Sequence, residues 1–320
     1  MNQCILLLSY SPVMNNKQEY YENISDVKKK ALASNDKTEE DLENDIKIIR
    51  EWIKQQPHLP EIASDKLITS FLMMNKFSIE KTKERLDMYY TMRSIFPEFF
   101  HNRHPLSPHM NKAMDYSYMV PLPKATEEGY RVMVLAFSRE DLKDFDMELC
   151  FSVQYNVFEQ KLQADYQVSD ILIYDLKNAT MSILSKLTPT ILKKASITLE
   201  KTFNNRVKQL HFINLPPYSK NVISLIISCL NKKIAKRVHL HQSSHTLSDY
   251  IPTRILPKDY GGEEPTLKEL NEIFKKELAA HKDRFDVLET LRVNESFRPT
   301  PLVNDEILGY YGNFKKLNVD

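Results

Sequence analysis

The chain has 320 residues and a mass of 37.6 kDa, with 42% hydrophobic and 27% charged side chains and a mean hydropathy of −0.45. That balance suits a globular protein of about two domains, and no run approaches the roughly 18 apolar residues that cross a bilayer. Forty-four basic against 43 acidic side chains leave a net charge of only +1. Glycine is scarcer still: Gly129, Gly261, Gly262, Gly309 and Gly312 are the whole set, which excludes the clustered glycines of a P-loop or a dinucleotide turn.

The run Cys4–Leu8 is too short for a secretory core and has no basic lead, which argues against export. Residues 1–40, rich in Lys, Asn and Glu, read as a partly mobile lead-in. A helical domain is expected over 41–105. Leu42, Ile46, Ile49 and Ile53 recur at helical spacing until Pro57 and Pro60, a second helix covers Asp65 to Asn75, and Ser78 caps a third that ends before Pro97. The texture then changes. Strands are expected over Tyr130–Phe137, Asp170–Leu176, Val207–Ile213 and Arg237–His241. Helices are expected over Met147–Leu162, from Thr188-Pro189 to Phe203, and through the apolar run Val222–Leu230. Alternation of this kind predicts an α/β unit over 106–262, a mostly parallel sheet with crossover helices. Thr266-x-x-Glu269 is a capping box for a helix to about His281, within a last segment, 263–320, whose final twenty residues read as an extended or loose arm.

Charge is unevenly spread. From Lys201 to Ser248 there is no Asp or Glu but eight Lys or Arg, so this stretch carries +8 and the remainder −7. At its centre lies Val222–Leu230, apolar almost all round. Such a helix is either a buried core element or a surface that meets an anionic membrane. Nucleic acid is disfavoured, because Phe203, Phe212 and Tyr218 sit in strand or turn contexts rather than interleaved with the cations.

Markers of catalysis are missing: there is no GxSxG, HExxH or CxxC. Cys4, Cys150 and Cys229 read as reduced thiols of a cytosolic protein. His239 and His241 share a strand face with His245 near, yet Lys236-Arg237 would repel a cation and no carboxylate or thiol stands close in sequence. Neither a metal nor a cofactor is expected. The many large apolar and aromatic side chains either fill a core or line a small-molecule pocket.

A further set of residues carries a resemblance. The segment His211-Phe-Ile-Asn-Leu-Pro216, the apolar helix, Lys233-Ile-Ala-Lys-Arg-Val-His-Leu-His241 and Leu256-Pro-x-x-Tyr260-Gly-Gly262 follow in order, with Asp175-Leu176 before them and Phe71-Leu72…Lys76-Phe-Ser-Ile-Glu-Lys81 ahead. Together they resemble the CRAL-TRIO lipid-binding family over residues 40 to 275, and most of all its α-tocopherol transfer protein and cellular retinaldehyde-binding protein branch. The chain departs from that pattern at Asn178 and Gln242, where glycines are usual, at Asn204-Asn205, and at Met73-Met74-Asn75 in place of an arginine-rich segment.

The resemblance implies an intracellular, non-enzymatic carrier whose apolar pocket is closed by a movable helix, here 218–230, and which exchanges a tocopherol-, retinoid-, carotenoid- or sterol-like lipid at membranes. It places phosphoinositide contacts at Arg206, Lys208, Lys233 and Arg237, all inside the acid-free stretch. Pocket residues are expected at Leu149, Ser152, Val153 and Asn156 on one helix face, and at Tyr174, Thr198, Leu199, Phe203 and Leu210. Val222, Leu225 and Ile226 complete the set on the gate. Ser152 and Asn156 either orient a ligand's polar group or satisfy each other's surroundings in the core. The competing expectation is an interaction module that uses the same basic patch and carries nothing. An apolar void of roughly 300 Å³ or more separates the first from the second.

Overall fold

Thr38 caps a helix through a reciprocal pair of hydrogen bonds. Its Oγ1 accepts from the Asp41 amide at 3.1 Å, and the Asp41 carboxylate accepts from the Thr38 amide at 2.8 Å. The computed structural model describes residues 20–139, 145–166, 168–203 and 205–302. In it the capped helix is α2 (Glu39–Lys54), preceded by α1 (Ile24–Ala33) and followed by α3 (Asp65–Met74), α4 (Ile79–Ile95), α5 (Pro97–Phe100) and α6 (Pro108–Tyr116). The helix α1 lies where a mobile lead-in was expected. Val27, Ala31 and Leu32 are buried, with Tyr21 just ahead of them. Residues 1–19, and the arm from 303 on, fall outside the described residues.

A five-stranded sheet follows, in the order β1-β2-β3-β4-β5. Its strands are β1 (Ser117–Ala125), β2 (Tyr130–Phe137), β3 (Ser169–Asp175), β4 (Val207–Ile213) and β5 (Val238–Leu240). The last four are mutually parallel, and β1 pairs antiparallel to β2 with a register shift between Pro121 and Ala125. The periodicity gives no sign of β1, because Pro121 and Pro123 interrupt it. Proline lacks the ladder N–H and is tolerated where a strand forms the sheet's edge.

The crossovers are α7 (Met147–Ala164), α8 (Met181–Leu184) with α9 (Pro189–Lys201), and α10 (Lys220–Cys229) with α11 (Lys232–Ala235). Asp146 caps α7 by accepting from the Glu148 and Leu149 amides at 2.8 and 3.2 Å. Thr188 caps α9, with Pro189 in the first turn. After the sheet come α12 (Leu267–Ala280), opened by the Thr266–Glu269 capping box, and α13 (Lys282–Thr290). The sequence did not reveal α13, since of its residues only Phe285 is buried.

Strand alternation divides the core in two. On one face Met133, Leu135, Leu172, Leu210 and Phe212 join α7, α9 and the N-terminal helices. On the other, Val132, Val134, Ile171, Ile173 and Ile213 are covered by Leu247, Ile251, Ile255 and Leu256 and by α12. Buried ion pairs join the layers. Arg93 on α4 meets Glu159 on α7, whose other oxygen accepts from the Tyr89 hydroxyl at 2.7 Å. Arg284 on α13 then donates to that Tyr89 oxygen at 3.0 Å.

Candidate functional site

Side chains from β2, β3 and β4 that point toward α7 and α9 leave an apolar chamber of about 120 Å³ between sheet and helices. Leu135, Phe137, Tyr174, Leu210 and Phe212 form its floor. Met147, Cys150 and Phe151 of α7 and Leu192, Ala195, Ser196 and Leu199 of α9 form the walls, while Ile226, Cys229 and Leu230 form the roof. Of the residues expected to line a pocket, Tyr174, Leu199, Leu210 and Ile226 are here.

The others are placed elsewhere. The Ser152 hydroxyl donates to the Glu148 carbonyl at 2.9 Å and accepts from Arg103 Nε at 3.1 Å, and Asn156 Nδ2 donates to the Arg103 carbonyl at 2.7 Å. Both side chains therefore hold the 101–104 loop and do not face the chamber. Thr198 donates to the Lys194 carbonyl at 2.9 Å, and Phe203 stacks on Tyr155 with centroids 5.5 Å apart. Val153 is buried in the main core with Leu149 packed against it, and Val222 and Leu225 are half-buried without lining the chamber. The expected face of α7 is displaced by nearly half a turn from the one carrying Met147, Cys150 and Phe151. Because α7 is buried nearly all round, its hydrophobic period does not distinguish the two.

Among chamber groups, burial pushes the Cys150 thiol up to about 11, against the pull of the Ser117 hydroxyl 3.0 Å away. Burial likewise pushes the Tyr174 phenol up to about 12. Both stay neutral at ordinary pH.

The roof helix α10 is seated lightly. Only Ile223 is fully buried, while Leu225, Ile226 and Ile227 are half-buried. Its serines turn their hydroxyls inward, Ser224 donating to the Lys220 carbonyl at 3.0 Å and Ser228 to the Leu225 carbonyl at 2.7 Å. Satisfied in this way, they lose little on leaving water. Tyr218 and Met181 are exposed beside it at 46% and 52%.

The cations expected to bind headgroups gather at the amino ends of β4 and β5. Arg206 and Lys208 open β4. Arg237, immediately before β5, donates to the Val207 carbonyl, and Lys233 lies on α11 just ahead. Burial pulls the Arg206 guanidinium below its ordinary range, and neighbouring Arg237 acts in the same direction. Lys208 and Lys233 are exposed.

His239 and His241 do share a face, with His211 of β4 as a third member that sequence spacing did not bring in. His211 Nδ1 and His241 Nε2 are 2.9 Å apart. Among the described residues no group of three His, Cys, Asp or Glu side chains is arranged to hold a metal ion, and no helix is long and apolar enough to cross a membrane.

Residues 115–262 match the family described as CRAL/TRIO domain, and residues 38–110 match the one described as Pinta-like, UBA domain. The chain is 29% identical over 270 residues to the human "Alpha-tocopherol transfer protein-like", covering 83% of this chain and 75% of that one. Against the mouse protein of that name the identity is 29% over 222 residues, 68% of this chain and 64% of the relative, so slightly less than two thirds of that relative is spanned. Rat Clavesin-1 is 28% identical over 231 residues, 70% and 64% of the two chains. The solved structure described as "Crystal structure of Sfh5" superposes with a TM-score of 0.48 at 12% identity, covering 81% of this chain and 99% of that one. A mostly parallel sheet closed by crossover helices and the domain match laid over that sheet agree: residues 115–262 of this chain are similar throughout to the CRAL/TRIO domain.

Proposed function

We propose that the protein is a cytosolic carrier that holds one small hydrophobic molecule under α10 and exchanges it during transient contact with phosphoinositide-bearing membranes. One observation carries this reading: an apolar helix, fully burying a single residue, roofs an apolar chamber and is followed by lysines and arginines. A helix so seated gains more by meeting lipid than a packed core helix does, and each nearby cation adds about 1 kcal/mol at an anionic surface. The CRAL/TRIO domain match and the printed names of the relatives support a lipid ligand. Headgroup contacts are assigned to Arg206, Lys208, Lys233 and Arg237. The ligand is assigned to the chamber, with Tyr174, Leu199, Leu210 and Ile226 in contact.

The test is twofold. Protein purified from cells should release a lipid on organic extraction, seen by mass spectrometry, and repeated recovery of folded but empty protein would overturn the carrier reading. The double variant Lys233→Ala, Arg237→Ala should lose binding to phosphoinositide vesicles at least about tenfold at low salt while retaining ligand. Unchanged vesicle binding would remove those residues from the headgroup site.

The chamber volume favours a second reading. At about 120 Å³ it falls short of the roughly 300 Å³ of a small-molecule site, as an interaction module that carries nothing requires. Under the carrier reading, loading displaces α10 and widens the chamber. A ligand-soaked structure with α10 unmoved and the chamber unfilled would decide for the module.

A further inference from the structure

The chamber wall is hydrocarbon almost everywhere, and a buried amide that hydrogen-bonds one of its lining residues is incompletely bonded. Gln154 lies on α7 one turn beyond Cys150 and is fully buried. Its Nε2 donates to the Tyr174 hydroxyl oxygen at 3.0 Å. Its Oε1, equally buried, has no hydrogen-bond partner. Buried amide oxygens are rarely left so, because each forfeits its hydration without replacement.

Tyr174 itself lines the chamber. Since its oxygen accepts from Gln154, its hydroxyl proton remains free to be donated. Tyr174 thus presents a donor at the wall, and the Gln154 acceptor lies buried beside it, one hydrogen bond behind the lining. A ligand hydroxyl uses both: its oxygen accepts from Tyr174 and its proton goes to Gln154 Oε1, closing a ring of three hydrogen bonds. A carbonyl takes only the Tyr174 proton and leaves the amide oxygen as it was. A hydrocarbon takes neither. With the amide turned end for end, Tyr174 donates to Oε1, and the spare donor and acceptor become Nε2 and the Tyr174 oxygen; a hydroxyl again fills both. A carboxylate is disfavoured, because no Lys, Arg or His is among the described chamber-lining residues and its charge would be buried unpaired.

We propose that Gln154 and Tyr174 are a head-reading pair that selects neutral lipid alcohols over the matching aldehydes, esters and hydrocarbons. This rests on the carrier reading and narrows it to one ligand chemistry. It assigns the polar selection to the opposite face of α7 from Ser152 and Asn156, whose polar groups are engaged by Arg103.

The test uses the full-length protein and two matched lipid series. One is built on a linear C16 chain and one on a C20 isoprenoid chain, each as alcohol, aldehyde, methyl ester and hydrocarbon, offered from neutral vesicles. Retained lipid is quantified by mass spectrometry after gel filtration. The wild type should retain the alcohol of at least one series about tenfold over its aldehyde, a factor that one net hydrogen bond supplies. Gln154→Leu and Tyr174→Phe should each lose that preference while still retaining the hydrocarbon, and Tyr174→Phe removes a single oxygen and so keeps the packing. Indiscriminate retention by the wild type, or selectivity surviving in both variants, overturns the head-reading pair and leaves the carrier intact. Retention of no member of either series overturns both.

Discussion

Behind the sheet, on the face away from the chamber, His211 lies parallel to His239 with ring centroids 4.8 Å apart and is hydrogen-bonded to His241. Tyr250 packs against all three rings. Burial, reinforced by the two neighbouring imidazoles, pushes His211 down to about 3 and lowers His241 as well, with Asp249 the acid that opposes the shift on His241. An imidazole depressed in the folded protein takes up protons only after unfolding, so between about 3 and the ordinary histidine value the unfolded state binds more. Stability therefore rises with pH across that window and is lost as pH falls through the unfolded value near 6.5. Thermal melts should show a lower Tm at pH 5.5 than at 7.5, and the His211→Gln variant should show a smaller drop. An equal drop in both would place the acid sensitivity elsewhere.

Two other single residues have sharp consequences. A Cβ on Gly262 would lie 1.9 Å from the Leu256 carbonyl oxygen. That atom belongs to the backbone and cannot swing aside, so Gly262→Ala should cost about 1–3 kcal/mol in urea unfolding. Glu159 compensates the fully buried Arg93. Glu159→Ala leaves that guanidinium unpaired and should cost about 3–5 kcal/mol by the same measurement.

Between elements, the contrast lies in how each is held. The helix α7 buries thirteen of its eighteen residues, whereas α10 buries only Ile223. Local opening should follow that difference. In native-state hydrogen exchange, α10 amides should exchange roughly a hundredfold faster than those of α7, and equal protection would mean that the roof is a fixed part of the core. The same contrast explains what could be read from the residues. The helices α9 and α12 were legible because Thr188 and Thr266 cap them, and caps are local chemistry, while α2 was legible from the helical spacing of Leu42, Ile46, Ile49 and Ile53. The parallel strands were legible as apolar runs bounded by turns. The prolines of β1 hid an edge strand, and the sparse apolar positions of α13 hid a helix that Arg284 anchors through Tyr89 and Glu61. At the site, the apolar helix and its cations were legible from composition. The chamber-facing side of α7, with Met147, Cys150 and Phe151, was not, because a helix buried on nearly every side has no solvent face to mark its opposite.

Over the whole molecule, charge and shape point the same way. The acid-free stretch runs from the end of α9 through β4, α10 and β5, so its +8 is confined to one flank of the sheet while the rest carries −7. Such a molecule has a strong electrical asymmetry despite its net +1. Its association with anionic vesicles should slow steeply between low and physiological salt, as expected for attraction screened within about 8–10 Å. A salt-independent rate would assign the encounter to the exposed apolar side chains of α10.

The cysteines of the chamber have a practical corollary. Cys150 is set in the fixed wall and Cys229 in the lightly held roof. With Cys4 replaced by serine, a maleimide should modify Cys229 first, and Cys150 only as fast as the roof lifts to admit the reagent. An occupant filling the space between them should shield both. The native thiols would then time each opening and report each loading without an added fluorophore.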